Sequence, residues 1–83
     1  MAAELDRILH EHYVPDEKKK SMLKRIRLIA LATEVDQGYR LVHYNREMEE
    51  LVALKIVEKK ETHVPGLYVY TLTESGKEIY AES

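Results

Sequence analysis

The last third of the chain contains the pattern that most constrains its fold. Two segments rich in β-branched and aromatic residues, 56–64 and 67–72, are separated by Pro65 and Gly66. Proline presets the φ angle of the first turn position and glycine allows a positive φ at the second, so this pair favours a type II turn. Val69 alternates with Tyr68 and Tyr70, as in a half-buried strand. The pattern predicts an antiparallel β-hairpin.

Helices are predicted on both sides of this hairpin. Thr73 is a candidate N-cap for a last helix that ends near Ala81. Before the hairpin, Asn45 is a candidate N-cap for a helix from about 46 to 54. Apolar residues fall on one face of that helix at positions 48, 51 and 52, so this face is expected to pack inward.

Two more helices are predicted in the first half of the chain. The apolar stripe of Leu5, Ile8 and Leu9 predicts a short amphipathic helix from Ala2 to His12. Asp16 is a candidate N-cap for a second helix over about 17–35, and Gly38 is a candidate left-handed residue at its end.

Within the second helix, the run from Leu28 to Ala32 is apolar on every side, so this segment is expected to be buried on every side. The following residues, 39–44, are rich in β-favouring types and are compatible with a short strand or an irregular turn.

Composition narrows the classes of protein further. The 83 residues make one domain, whose small core favours pairing as a homodimer; residues 1–14 are the first candidate dimerisation element and the turn at 77–80 is the second. Cysteine is absent, which excludes disulfides and thiolate metal sites. No apolar run is long enough for a membrane span, and a cytoplasmic protein is predicted. Abundant Glu with single Asn and Gln residues is a bias seen in heat-stable proteins.

The chain resembles winged-helix domains in its second half. The residues that carry the resemblance are Leu51, Leu54, Ile56 and Val57, then the hairpin, then the run from Tyr70 to Gly76. They are similar to the end of small MarR- and PadR-like transcriptional regulators and of archaeal and viral relatives. The resemblance implies an α+β winged-helix domain of three to four helices with a C-terminal two-stranded β-hairpin as the wing, and a function as a DNA-binding transcriptional regulator.

The resemblance also implies which residues contact double-stranded DNA. The helix at 46–54 would enter the major groove, while the wing would touch the backbone or minor groove. The expected contacts are Arg46 with Arg40 and His43 at the helix entry, Lys59, Lys60 and His63 at the wing, and Lys20, Lys24 and Arg27 on the backbone. A structural alternative exists for each group, since lysines also occur on ordinary solvated helices and strand edges.

Two features of the sequence depart from this pattern. Glu49 and Glu50 are expected to face the phosphates, and the net charge is −2. The nine residues from Asp36 to Tyr44 also leave little room for the supporting helix of a helix-turn-helix. An alternative function is therefore a protein–protein interaction module that uses the acidic third helix and the apolar N-terminal stripe.

The sequence offers little for catalysis or metal binding. His10, His12, His43 and His63 lack the spacing of a metal site, and neither a nucleophile elbow nor a phosphate-binding glycine loop occurs. We therefore expect no enzymatic activity, no cofactor and no metal.

Overall fold

A computed structural model describes residues 3–82 of the chain. The elements follow one another as helix α1 (Ala3–Glu11), a single 3₁₀ turn (Asp16–Lys18), helix α2 (Lys19–Asp36), strand β1 (Tyr39–Leu41), helix α3 (Arg46–Ala53), strand β2 (Val57–Glu61), strand β3 (Tyr68–Leu72) and helix α4 (Glu74–Glu82). The predicted α+β class is confirmed. The predicted start of the first helix at Ala2 lies outside the described residues.

The three strands form one antiparallel sheet in the order β1-β3-β2. Lys59 pairs with Tyr70 across β2 and β3, and Tyr39 pairs with Tyr70 across β1 and β3. The sheet thus has one more strand than the predicted ribbon, because β1 adds to the free edge of β3. The segment 39–44, which was compatible with a strand or a turn, is a strand at 39–41 and an irregular exposed loop at 42–44.

The core lies between the helices and one face of the sheet. Tyr70 on β3 and the apolar faces of α1, α2, α3 and α4 all contribute to it. The stripe of Leu5, Ile8 and Leu9 on α1 is buried in the chain's own core. A dimer formed through residues 1–14 would therefore need another face of this element.

Three local signals predicted from the sequence are confirmed, two helix caps and one turn. The Asn45 side chain accepts a hydrogen bond from Met48 N at 3.0 Å and caps α3. Thr73 Oγ1 accepts one from Gly76 N at 3.2 Å at the start of α4. In the loop between β2 and β3, Leu67 N donates to Val64 O at 3.1 Å and Gly66 has a φ of 82°, as expected for the Pro-Gly turn.

The prediction for the middle of α2 is wrong. Ile29 and Ala30 are buried, but Leu28 is 39% exposed and Leu31 is 53% exposed. The structure shows the reason: α2 packs on the core along one side only, with Met22 and Ile26 continuing the buried side. The outer side of the helix keeps its leucines in solvent within one chain.

Two predicted helix ends also need correction. Asp16 makes no capping hydrogen bond, because a 3₁₀ turn at 16–18 precedes α2. At the other end the left-handed residue is Gln37, with a φ of 67°, and not Gly38. Gly38 serves close packing instead, since a Cβ there would lie 2.5 Å from Val69 Cγ1. Across residues 3–82, none of the helices is long and apolar enough to cross a membrane.

Candidate nucleic-acid interface

Cations from three neighbouring elements surround helix α3 and form ion pairs with its glutamates. Glu47 accepts hydrogen bonds from Ser21 Oγ and from Arg25 Nη2, the latter at 2.7 Å. The hydrogen bond from Ser21 lowers the pKa of the Glu47 carboxyl from its ordinary value, and Arg25 lowers it further. Glu47 therefore joins the start of α3 to α2.

Glu49 forms the corresponding contact with the sheet. Lys59 Nζ donates to Glu49 Oε2 at 2.9 Å, and the Tyr70 hydroxyl donates to the same oxygen at 3.2 Å. The ammonium of Lys59 also lies 4.3 Å from the centre of the Tyr68 ring, within cation–π distance. The hydrogen bond with Glu49 raises the pKa of Lys59, while burial is the main cause that raises the pKa of Tyr70.

Glu50 completes the set on the opposite side. Lys18 Nζ lies 2.7 Å from Glu50 Oε2, so Glu50 pairs with the 3₁₀ turn before α2 and not with Arg46 in its own helix. Glu49 and Glu50, which were expected to face the phosphates, are both engaged in ion pairs within the fold. Both are half-buried and each holds a cation from another element.

The outer face of α2 carries positive charge without such partners. Lys20, Lys24 and Arg27 are exposed and recur at spacings of four and three, which places them along one side of the helix. Among residues 3–82 these three side chains make neither an ion pair nor a hydrogen bond. Lys24 lines a groove of about 430 Å³ together with Arg25, Leu28 and Glu47, so this face borders the start of α3.

The entry to α3 is similarly open. Arg46 is the first residue of the helix and is exposed, next to the Glu47 that contacts α2. His43 is exposed in the preceding loop, and the ring of Tyr44 beside it is 78% exposed. Residues 42–45 contain no helix, so α2 itself supports α3 from the side.

The predicted contacts on the strands lie on both faces of the sheet. Arg40 and Lys60 both pair with Val69, which puts them in one row across the outer face. Each is engaged by an acid of its own element or of the preceding helix, Arg40 by Asp36 and Lys60 by Glu58 at 3.6 Å. Lys59 lies on the opposite face against α3, and His63 is exposed in the loop after β2.

The structure thus places Lys24 beside the start of α3, where Arg46 is the chain neighbour of Glu47 and His43 lies in the loop just before the helix. Lys59 forms an ion pair with Glu49 within the fold, and Arg40 and Lys60 lie in one row on the outer face of the sheet. Sequence reasoning overlooked Tyr44, an exposed aromatic ring beside His43 whose exposure no local signal indicated. It also overlooked that the glutamates of α3 and the cations around it neutralise each other.

Residues 3–82 contain no group of three or more His, Asp or Glu side chains placed to hold a metal ion. The candidate site is therefore described by charge and shape alone. Comparisons with protein-family models, with curated proteins and with solved structures find no match to this chain.

Proposed function

We propose that the chain binds double-stranded DNA through the junction of α2 and α3, as a small transcriptional regulator with a winged-helix arrangement. In this arrangement α3 is the groove-reading helix, β2 and β3 with their loop are the wing, and α2 takes the place of the supporting helix. The observation that carries the proposal is the contrast in pairing. The glutamates of α3 are neutralised inside the fold, whereas Lys20, Lys24 and Arg46 are exposed and have no ion-pair or hydrogen-bond partner within residues 3–82.

DNA binding depends on the local charge of this surface more than on the net charge of the chain. Cations that neutralise phosphates release counterions from DNA, and this release supplies most of sequence-independent affinity. A carboxylate held by Lys59 or Lys18 repels phosphate less than a free one, because its charge is already countered at close range. The positive charge of the outer face of α2 is therefore not cancelled by α3.

The alternative of a protein-interaction module finds less support. It named two surfaces, the acidic face of α3 and the apolar stripe of α1. The acids of α3 are bound to Arg25, Lys59 and Lys18, and the α1 stripe is buried in the core. Both surfaces are thus occupied within one chain.

The first test is a binding titration with a random-sequence duplex. At about 50 mM salt we expect binding, with an affinity that falls steeply as salt rises, by a slope near −0.9 for each phosphate neutralised. Lys24→Glu should weaken binding by about tenfold and flatten this slope, because it reverses a cation at the interface. Arg46→Ala should weaken binding by a similar factor.

Lys77→Glu is the matched control, since it makes the same charge change at an exposed lysine on α4. It should change the affinity by less than about threefold, as expected for a charge outside the contact. The proposal fails if the duplex does not bind at low salt, or if Lys24→Glu and Lys77→Glu weaken binding equally.

A further inference from the structure

The outer face of α2 has a second half that is apolar. After Lys20 and Lys24 the same side of the helix continues with Leu28, Leu31 and Val35, which are 39%, 53% and 86% exposed. These residues follow one another at spacings of three and four. Isolated exposed leucines are ordinary on a protein surface, but a regular stripe on one helix marks a contact face.

The spacing is that of a two-stranded coiled coil. Counting from Ser21, alternate steps of three and four give Ser21, Lys24, Leu28, Leu31 and Val35 as the successive seam positions of α2. Arg27 and Glu34 flank this seam on one side, and Arg25 and Ala32 flank it on the other. We infer that α2 pairs with α2 of a second copy of this chain in antiparallel orientation. The two-fold axis crosses the helix pair at the level of the peptide bond between Ile29 and Ala30.

Charge complementarity selects the antiparallel orientation. In that register Leu28 packs against the partner's Leu31, and Arg27 lies opposite the partner's Glu34, twice by symmetry. Within one chain Arg27 and Glu34 are exposed, and among residues 3–82 neither has an ion-pair or hydrogen-bond partner. The two are two helical turns apart in one chain, so they can pair only between copies.

A parallel pairing of the same stripe is disfavoured by like charges. It would place Lys24 against the partner's Lys24 in the seam and Lys20 beside the partner's Arg25. Arg27 and Glu34 would then stay unpaired. The antiparallel register instead places Lys24 beside the partner's Val35, at the ends of the seam, where the ammonium can reach solvent.

The symmetry has a consequence for the position of α3. Glu47 of α3 contacts Ser21 and Arg25, so α3 lies on the Arg25 side of the seam. In an antiparallel pair the Arg25 sides of both copies face the same way, and so both α3 helices do too. This assembly goes beyond the proposed DNA binding and is tested without DNA, so that either can fail while the other stands.

The first test is sedimentation equilibrium of the full chain from about 1 to about 500 µM, a range that covers weak and moderate dimers. We expect a mass approaching that of two chains. Leu31→Glu should shift the population to single chains, while Val42→Glu, at an apolar residue that is exposed in the loop after β1, should not. A single-chain mass for the unchanged protein at the highest concentration would overturn the inference.

A charge exchange tests the pairing itself. Arg27→Glu and Glu34→Arg should each weaken the dimer by about tenfold or more, since each puts like charges opposite one another. The double variant should recover the original affinity to within about threefold. Additive weakening in the double variant would contradict the Arg27–Glu34 contact.

Disulfide trapping tests the orientation, and the absence of native cysteine makes it unambiguous. A mixture of Lys24→Cys and Val35→Cys chains should form a cross-linked dimer on oxidation. Neither variant alone should do so, because in the antiparallel register the two copies of position 24 lie about 16 Å apart along the helices. Efficient cross-linking of each variant with itself would show a parallel dimer and reject the proposal.

Discussion

At the scale of single residues, the glutamates of α3 act as connectors. Glu47 contacts α2, Glu49 contacts β2 and β3, and Glu50 contacts the 3₁₀ turn. Pairs that are half-exposed contribute little stability each, because water screens them. Their effect is mainly to orient α3 and to remove negative charge from the surface that Arg46 shares.

The pH dependence of stability should reflect Glu47. Its pKa is lowered in the folded chain, so the stabilisation is complete above the ordinary carboxyl value of 4.5 and is lost as pH falls through the lowered value. Thermal denaturation of Glu47→Gln should show a Tm a few degrees below that of the unchanged chain at about pH 7. The gap should narrow as the pH is lowered toward about pH 3, because a growing fraction of the native carboxyl is then protonated.

Exposed Glu78 on α4 offers the control for this change. Glu78→Gln should leave the Tm nearly unaltered at both pH values, because an isolated surface substitution has little effect. A difference between Glu47→Gln and the unchanged chain that stays constant down to about pH 3 would contradict the assigned role of the carboxyl.

At the scale of elements, caps and turns join the helices to the sheet. Thr73 illustrates this, because its hydroxyl caps α4 and shares its one hydrogen between Lys55 O at 2.7 Å and, just before β2, Ile56 O at 3.0 Å. Gly76 lets the start of α4 lie close to the segment before β2, since a Cβ at this position would lie 2.3 Å from Ile56 O. The start of α4 is thereby held against the start of β2.

Replacing Thr73 with valine keeps the shape of the side chain and removes the hydroxyl. We expect Thr73→Val to cost about 1–2 kcal/mol of stability, the usual range for a lost cap. Urea denaturation measures this cost. Thr71→Val, a similar change on β3, should stay within about 0.5 kcal/mol, and equal costs for the two variants would argue against the capping role.

At the scale of the whole molecule, α2 has two opposite sides with different roles. The inner side carries Ile26 and Ile29 in the core, and the outer side carries Lys24 and Leu31 in solvent. The chain is small, so one helix lines the core with one side and presents an exposed, partly apolar surface with the other. The proposed DNA contact and the proposed dimer contact share Lys24, which lies at the end of the seam, and otherwise occupy successive parts of that outer side.

The two sides should respond differently to truncation. Ile29→Ala should destabilise the chain by about 2–5 kcal/mol, because it leaves a cavity in the core. Leu31→Ala should cost less than about 1 kcal/mol in dilute solution, where the leucine is half-exposed. Urea denaturation at low protein concentration measures both, and a large loss for Leu31→Ala there would show that it packs within one chain.

Much of the fold could be predicted because its signals are local. Asn45, Thr73 and the Pro65-Gly66 turn act on backbone atoms within three residues of themselves, so their effect can be derived from spacing alone. The apolar stripe of Leu5, Ile8 and Leu9 correctly marked one face of α1, because helical period alone defines such a face, but only the structure shows that this face packs in the chain's own core.

The candidate site could be predicted only in part, because its chemistry depends on distant partners. The sequence by itself determined the class of fold, the caps at Asn45 and Thr73, the turn and the residues that carry positive charge. Only the tertiary structure decided that Lys59 is held by Glu49, that Lys24 has no partner among residues 3–82, and that Leu28 and Leu31 stay outside the core. The reason is physical: pairing and burial depend on which elements meet, and residues such as Glu47 and Arg25 meet across 22 positions of chain.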